Sequence, residues 1–233
     1  MAIFFSQNQK ERLKIWEMPE KANAEYLICA DVAEGLEGGN YSCAHVLKRH
    51  PLEQVAVWHG HENPYQFGRV LLYLGFFFNG CMIACERNNN GITTLDFLRR
   101  ENYPNIYKMQ KFDSEVMDDT DRVGWMTNMH TRPLIIDSLK YAVKTRSLIL
   151  HDPETLGELK TFIRIQNKEI PERYKIKASP GSFDDRVISL AIGVYIHSTL
   201  PMSQPYMQTG SYMDKMRARW DEGKVLTPGR GGY

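Results

Sequence analysis

A mixed β-sheet covered by helices is the fold class this sequence predicts, and three observations carry that expectation. Three strand-like segments succeed one another between residues 26 and 58, a fourth occupies 81–86 after a helix, and most of the chain beyond residue 90 reads as helix. Strands gathered early and helices gathered late fit a sheet whose faces the helices cover.

The first segment, 26–33, is a nearly continuous apolar run, as expected of a strand buried on both faces. Turn-forming Gly35, Gly38 and Gly39 come next, then the strand-like segments 41–47 and 54–58, with a hairpin as the simplest account of the first pair. Asn63-Pro64 supplies a helix start, with a capping side chain and proline at the first helical position. Phe67, Val70, Leu71 and Leu74 keep helical spacing, and Asn79-Gly80 stops the helix. Residues 81–86 read as a buried strand and 90–100 as a helix, whereas 103–125 are irregular. Thr131-Arg-Pro opens a helix to about residue 144, residues 148–150 are strand-like, and 153–166 are helical. A long apolar helix then runs to about 198, opened by Ser182-Phe-Asp-Asp.

Composition narrows the partners less than it narrows the class. The 233 residues are 42% hydrophobic and 24% charged, which excludes wholesale disorder, a collagen-like repeat and a disulfide-dense mini-protein. A net charge of +1 names no partner, so a nucleic-acid binder must concentrate its positive charge locally. Four cysteines without a signal peptide suggest a reducing intracellular setting. The longest apolar run, 70–78, is too short to span a bilayer, so no membrane role is expected.

Three acidic positions interrupt apolar elements: Asp31 at the end of the first strand, Glu86 at the end of the fourth, and Asp184 with Asp185 at the start of the last helix. A carboxylate withdrawn from water needs a hydrogen bond, an ion partner or a metal. If the first and fourth strands are neighbours, Asp31 and Glu86 sit side by side, and the last helix can bring the Asp pair to them. Such a cluster repels itself, and divalent cations with oxygen ligands, Mg²⁺ or Mn²⁺, are its natural compensation. Two ions about 4 Å apart would activate water and stabilise both the attacking and leaving oxygens of a phosphodiester. The plainer alternatives are acids that complement a helix dipole and acids that terminate strands in solvent.

Three segments resemble the nuclease domain of the large terminase subunits of tailed bacteriophages. They are Asp31-Val-Ala-Glu-Gly-Leu-Glu-Gly-Gly-Asn-Tyr-Ser, Cys85-Glu-Arg-Asn-Asn-Asn-Gly and Gly181-Ser-Phe-Asp-Asp-Arg-Val-Ile-Ser-Leu. Gly124-Trp-Met-Thr-Asn, Thr131-Arg-Pro-Leu-Ile-Ile-Asp-Ser-Leu and His151-Asp-Pro-Glu-Thr-Leu-Gly-Glu-Leu keep the family's order between them, so the resemblance covers about 24–198. It implies an RNase H-like α/β fold and two-metal endonuclease cleavage of concatemeric double-stranded DNA during genome packaging. It also implies catalysis and metal ligation by Asp31, Glu86, Asp184 and Asp185.

Portal protein, small terminase subunit and an ATPase domain are the partners implied, at a packaging motor in the host cytoplasm rather than in the mature virion. Phe183 stands where many members carry His, and Asn40 where Asp is common. No Gly-x-x-x-x-Gly-Lys-Ser/Thr phosphate loop occurs. The expected organisation is an arm at 1–23 leading from an absent ATPase domain, a nuclease domain at 24–200 and a flexible tail at 201–233. The rivals are a junction-resolvase or transposase-type nuclease and a non-catalytic DNA-binding module.

The remaining motifs have plainer readings. Cys81 and Cys85, four residues apart on a strand, would be about 13 Å apart and read as buried thiols rather than zinc ligands. His59 and His61 read as a strand-end pair, and Phe76-Phe77-Phe78 as core. Positive charge is uneven: 121–180 holds eleven Lys or Arg against seven Asp or Glu, whereas 31–60 holds two against four. Arg132, Lys140, Lys144, Arg146, Arg173, Lys175 and Lys177 are therefore candidate phosphate contacts, positioning a duplex without reading its bases. Of these, Arg132, Lys140, Lys175 and Lys177 are the expected DNA-binding set, against the plainer alternative of solvated surface charges.

Overall fold

Strand β2 (Tyr26–Asp31) is buried along its first five residues because helices cover both of its faces. The computed structural model describes residues 12–20, 24–36, 39–109, 123–166 and 184–201. In it, β2 lies inside a five-stranded sheet of order β1-β4-β3-β2-β5. β3 (Ser42–Lys48) and β4 (Glu53–Gly60) continue from β2 as an antiparallel meander. β5 (Met82–Cys85) pairs parallel to β2, a pairing that requires a crossover, here helix α1 (Pro64–Phe77). The side chain of Asn63 accepts the Gln66 N–H at 3.0 Å, with Pro64 opening the helix, as the sequence predicts.

The sequence predicts a linker at 1–23, but part of it belongs to the sheet. β1 (Leu13–Ile15) pairs antiparallel with β4, Leu13 opposite Trp58 and Ile15 opposite Ala56. Three residues carry no strand signature of their own. The pairing follows from the open edge of β4, whose backbone groups need partners.

Side chains alternate across the sheet. Tyr26, Ile28 and Ala30 of β2, with Ile83 and Cys85 of β5, face α1 and α2 (Gly91–Arg100). Leu27, Cys29 and Ala84 face the other layer, built from α3 (Thr131–Thr145), α4 (Pro153–Gln166) and α5 (Asp185–Thr199). Helix α5 lies directly on β2 and β3, which explains why most of its residues between 187 and 196 are apolar and buried. Its Ser189 hydroxyl donates to the Cys29 carbonyl at 2.7 Å, and a Cβ at Gly193 would run into the Cys29 thiol and Leu47. Only glycine permits that approach of helix to sheet.

The irregular region after α2 joins the β5 edge through single bridges, Ile83 with Ile106 and Glu86 with Trp125. All four cysteines are buried and unpaired, and burial pushes the Cys81 and Cys85 thiols up. Phe76 and Phe78 are core residues. Among the described residues no helix is long and apolar enough to cross a membrane.

Candidate active site

The register of two parallel strands brings the first two acids together. Leu27 stands beside Met82, Cys29 beside Ala84 and Ala30 beside Cys85, and the Glu86 N–H donates to the Ala30 carbonyl at 2.8 Å. One step further along, Asp31 and Glu86 are neighbours at the carboxyl ends of β2 and β5. Asp31 shares the face of Leu27 and Cys29, so both acids point to the layer that contains α5.

That layer supplies the second pair. Asp185 begins α5 and Asp184 precedes it at the N-cap position, yet Asp184 makes no side-chain capping bond. Its carboxylate pairs instead with the Arg132 guanidinium in the first turn of α3, at 3.0 Å. Asp185, 5% exposed, accepts the Tyr41 N–H at 3.1 Å. Neither aspartate therefore acts simply as a cap.

Burial and neighbouring charge both act on these groups. Burial holds the Asp31 carboxyl well above the usual carboxylate range, and a hydrogen bond with Glu86, repulsion from Glu86 and the charges of Asp185 and Asp184 add to the rise. Asp185 is pushed up to about 6, first by burial; the Tyr41 N–H opposes that rise and Asp184 adds to it.

Among the described residues no group of three or more His, Cys, Asp or Glu side chains stands close enough together to hold a metal ion as placed. The donor chemistry nevertheless fits hard divalent cations, since every acid offered is a carboxylate.

Several supporting residues were not singled out from the sequence. Asn88 donates through Nδ2 to Glu86 Oε1 at 3.2 Å and to the Thr127 carbonyl at 2.7 Å, tying Glu86 to the chain beyond Trp125. Gly91 opens α2 against the Glu86 carbonyl, where any Cβ would overlap the oxygen. Both lie in the Cys85-Glu-Arg-Asn-Asn-Asn-Gly segment, so the local sequence did contain a signal.

Of the expected DNA contacts, Arg132 lies at the cluster through Asp184. Lys140 pairs with Asp137 at 3.4 Å on an exposed part of α3. Lys175, Lys177, Arg173, Ser182 and Phe183 lie outside the described residues, as do the arm up to residue 11 and the tail from residue 202. His59 and His61 close the end of β4 with both rings against Tyr41, at ring-centroid distances of 4.5 and 3.9 Å.

No family model and no curated protein matches the sequence. Solved structures do. The large terminase nuclease from thermophilic phage G20c with bound magnesium superposes with a TM-score of 0.59 at 15% identity, covering 80% of this chain and 88% of that one. The same nuclease with bound zinc gives 0.57 at 14% identity, covering 83% and 91%. The large terminase nuclease domain of Thermus phage P74-26 gives 0.57 at 16%, covering 82% and 88%. The sheet order, the parallel β2–β5 pair and the two helical layers are thus those of a known architecture: this chain has the RNase H-like fold of the large terminase nucleases.

Proposed function

We propose that this chain is a divalent-metal-dependent DNA endonuclease of the terminase type, cutting concatemeric viral double-stranded DNA during packaging with little sequence preference. The observation that carries this reading is the meeting of Asp31 and Glu86 at the ends of parallel strands, with Asp184 and Asp185 delivered to them by α5. The fold shared with terminase nucleases supports it, and so do the magnesium, cobalt and zinc bound by the G20c protein.

In this reading Asp31, Glu86, Asp184 and Asp185 hold two ions, Mg²⁺ or Mn²⁺. When bound, such ions supply an activated water and stabilise charge on the phosphodiester oxygens. The protein's own contribution is orientation. Asn88 aims Glu86, the Tyr41 N–H aims Asp185, and Arg132 sets a positive charge beside Asp184 where a phosphate can also reach it. Lys140, Lys175 and Lys177 are the further expected phosphate contacts. Portal protein, small terminase subunit and an ATPase domain are the expected partners, and the host cytoplasm the expected place of action.

The test is incubation with supercoiled plasmid and Mg²⁺, Mn²⁺ or a chelator, beside Asp31→Ala. Metal-dependent nicking and linearisation that vanish in the variant are expected. A folded protein that cuts with neither ion would sink the endonuclease reading for the isolated chain. A preference for branched DNA over duplex in the same assay would favour a resolvase instead.

A further inference from the structure

Behind the carboxylate cluster lies a buried polar network that the proposed chemistry does not use. It centres on Arg186, immediately after Asp185. Its peptide is held at both ends: the Arg186 N–H donates to Glu158 Oε2 at 3.1 Å, and the Arg186 carbonyl accepts from His45 Nε2 at 3.0 Å. Its guanidinium is held as well. Nη1 donates to Glu158 Oε1 at 2.9 Å and to His59 Nε2 at 3.1 Å, and Nε lies 3.2 Å from Asp152 Oδ2.

The anchors are fixed in turn. Asp152, fully buried, accepts the N–H and hydroxyl of Thr155 at 3.0 and 2.7 Å at the start of α4. Gln54 donates to His45 Nδ1 at 2.8 Å, and its carbonyl accepts the N–H groups of His151 and Asp152 at 3.0 and 2.9 Å. Because Gln54 supplies the proton at Nδ1, His45 must carry its own on Nε2, the tautomer that can donate to the Arg186 carbonyl. β3, β4 and α4 thus converge on a single residue of α5.

A buried ion cluster is a poor device for stability, since desolvation offsets most of the attraction, and its best-attested use is to fix register. Here the register in question is the rotation of the first turn of α5. That rotation decides whether Asp184 and Asp185 meet Asp31 and Glu86. We propose that Arg186 is a positioning residue: Asp152, Glu158, His45 and His59 clamp it so that α5 presents its two aspartates to the metal site. This inference rests on the reading of Asp31, Glu86, Asp184 and Asp185 as metal ligands.

The test is a calorimetric titration of the full chain with Mn²⁺ alone, without DNA. It compares wild type with Arg186→Lys, which keeps the charge but loses the fork, and Glu158→Gln, which keeps the shape but loses the charge. Leu72→Val, in α1 beyond the opposite face of the sheet, is the control for a general loss of stability. Both network variants should bind Mn²⁺ 10- to 100-fold more weakly. The double variant should be little worse than either single one, because the two groups act as a unit. The control should stay within about twofold of wild type, as a site it does not touch is additive with it. Wild-type affinity in either folded network variant, or an equal loss in Leu72→Val, would overturn the positioning role while leaving the metal site in place. A wild-type protein that binds no Mn²⁺ would instead overturn the metal-site reading, and this inference with it.

Discussion

Gly91 lies against the carbonyl of Glu86, so close that a Cβ would overlap the oxygen. The start of α2 is thereby packed onto the end of β5, and the peptide that carries a candidate metal ligand cannot shift without moving a helix. Gly91→Ala must therefore displace one or the other. Overpacking of this kind costs about 1–3 kcal/mol, measurable as a lower urea midpoint. Displacement of Glu86 should also reduce metal-dependent plasmid cutting by tenfold or more, because misplacement of about 1 Å can cost 100-fold. Unchanged cutting would show that the α2 start does not set the position of Glu86.

Asp31→Asn should separate stability from function. In chelator it removes a carboxyl that burial, Glu86 and the charges of Asp185 and Asp184 push well above the usual range, so the variant should melt above wild type, by an amount on the order of 1 kcal/mol. Addition of Mn²⁺ should raise the melting temperature of wild type and leave that of the variant almost unchanged. Thermal unfolding with and without the ion measures both effects.

Arg132 and Lys140 should differ as DNA contacts. Arg132 lies beside Asp184 at the cluster, whereas Lys140 faces Asp137 on the exposed part of α3. Arg132→Gln should weaken duplex binding and reduce the slope of log affinity against log salt by about one. Lys140→Gln should have the smaller effect. Fluorescence anisotropy across a salt series distinguishes them, and equal losses would show that α3 offers a broad electrostatic face.

His45 should make stability sensitive to mild acid. It is fully buried, and burial lowers its pKa from 6.5 to about 4, with a smaller push from Arg186 and opposition from the Arg186 carbonyl and Asp152. Below pH 6.5 the unfolded chain takes up a proton that the native imidazole refuses. Stability from this group is therefore full above pH 6.5, falls as pH drops toward 4, and levels off once the native form is also protonated. The loss amounts to about 3 kcal/mol at most. Raised carboxyls such as Glu158, pushed up to about 7, act with the opposite sign, so the difference between wild type and His45→Gln is the quantity to track. Urea unfolding at several pH values should show the two curves converging as pH falls.

Much of the fold was legible locally. The Asn63-Pro64 helix start, the apolar β2, the largely apolar α5 and the placement of acids at element ends all arise from pattern and capping chemistry. Leu13–Ile15 was not legible, since three residues pair with β4 only because its edge is there to be covered. The Arg186 network was equally hidden. Asp152 and Glu158 stand in a segment that resembles the terminase nucleases, but their approach to Arg186 spans 34 and 28 positions of chain.

The sequence by itself determined which residues could carry the chemistry and where in each element they fall. Hydrophobic periodicity and helix capping are local and act through neighbours a few positions away. Only the tertiary structure decided that the acids gather at one end of the sheet. The parallel register of β2 with β5 sets Asp31 beside Glu86, and the packing of α5 through Gly193, with the clamp on Arg186, brings Asp184 and Asp185 to the same end of the sheet. Strand register and helix rotation depend on contacts between groups far apart in the chain, and no local pattern encodes them.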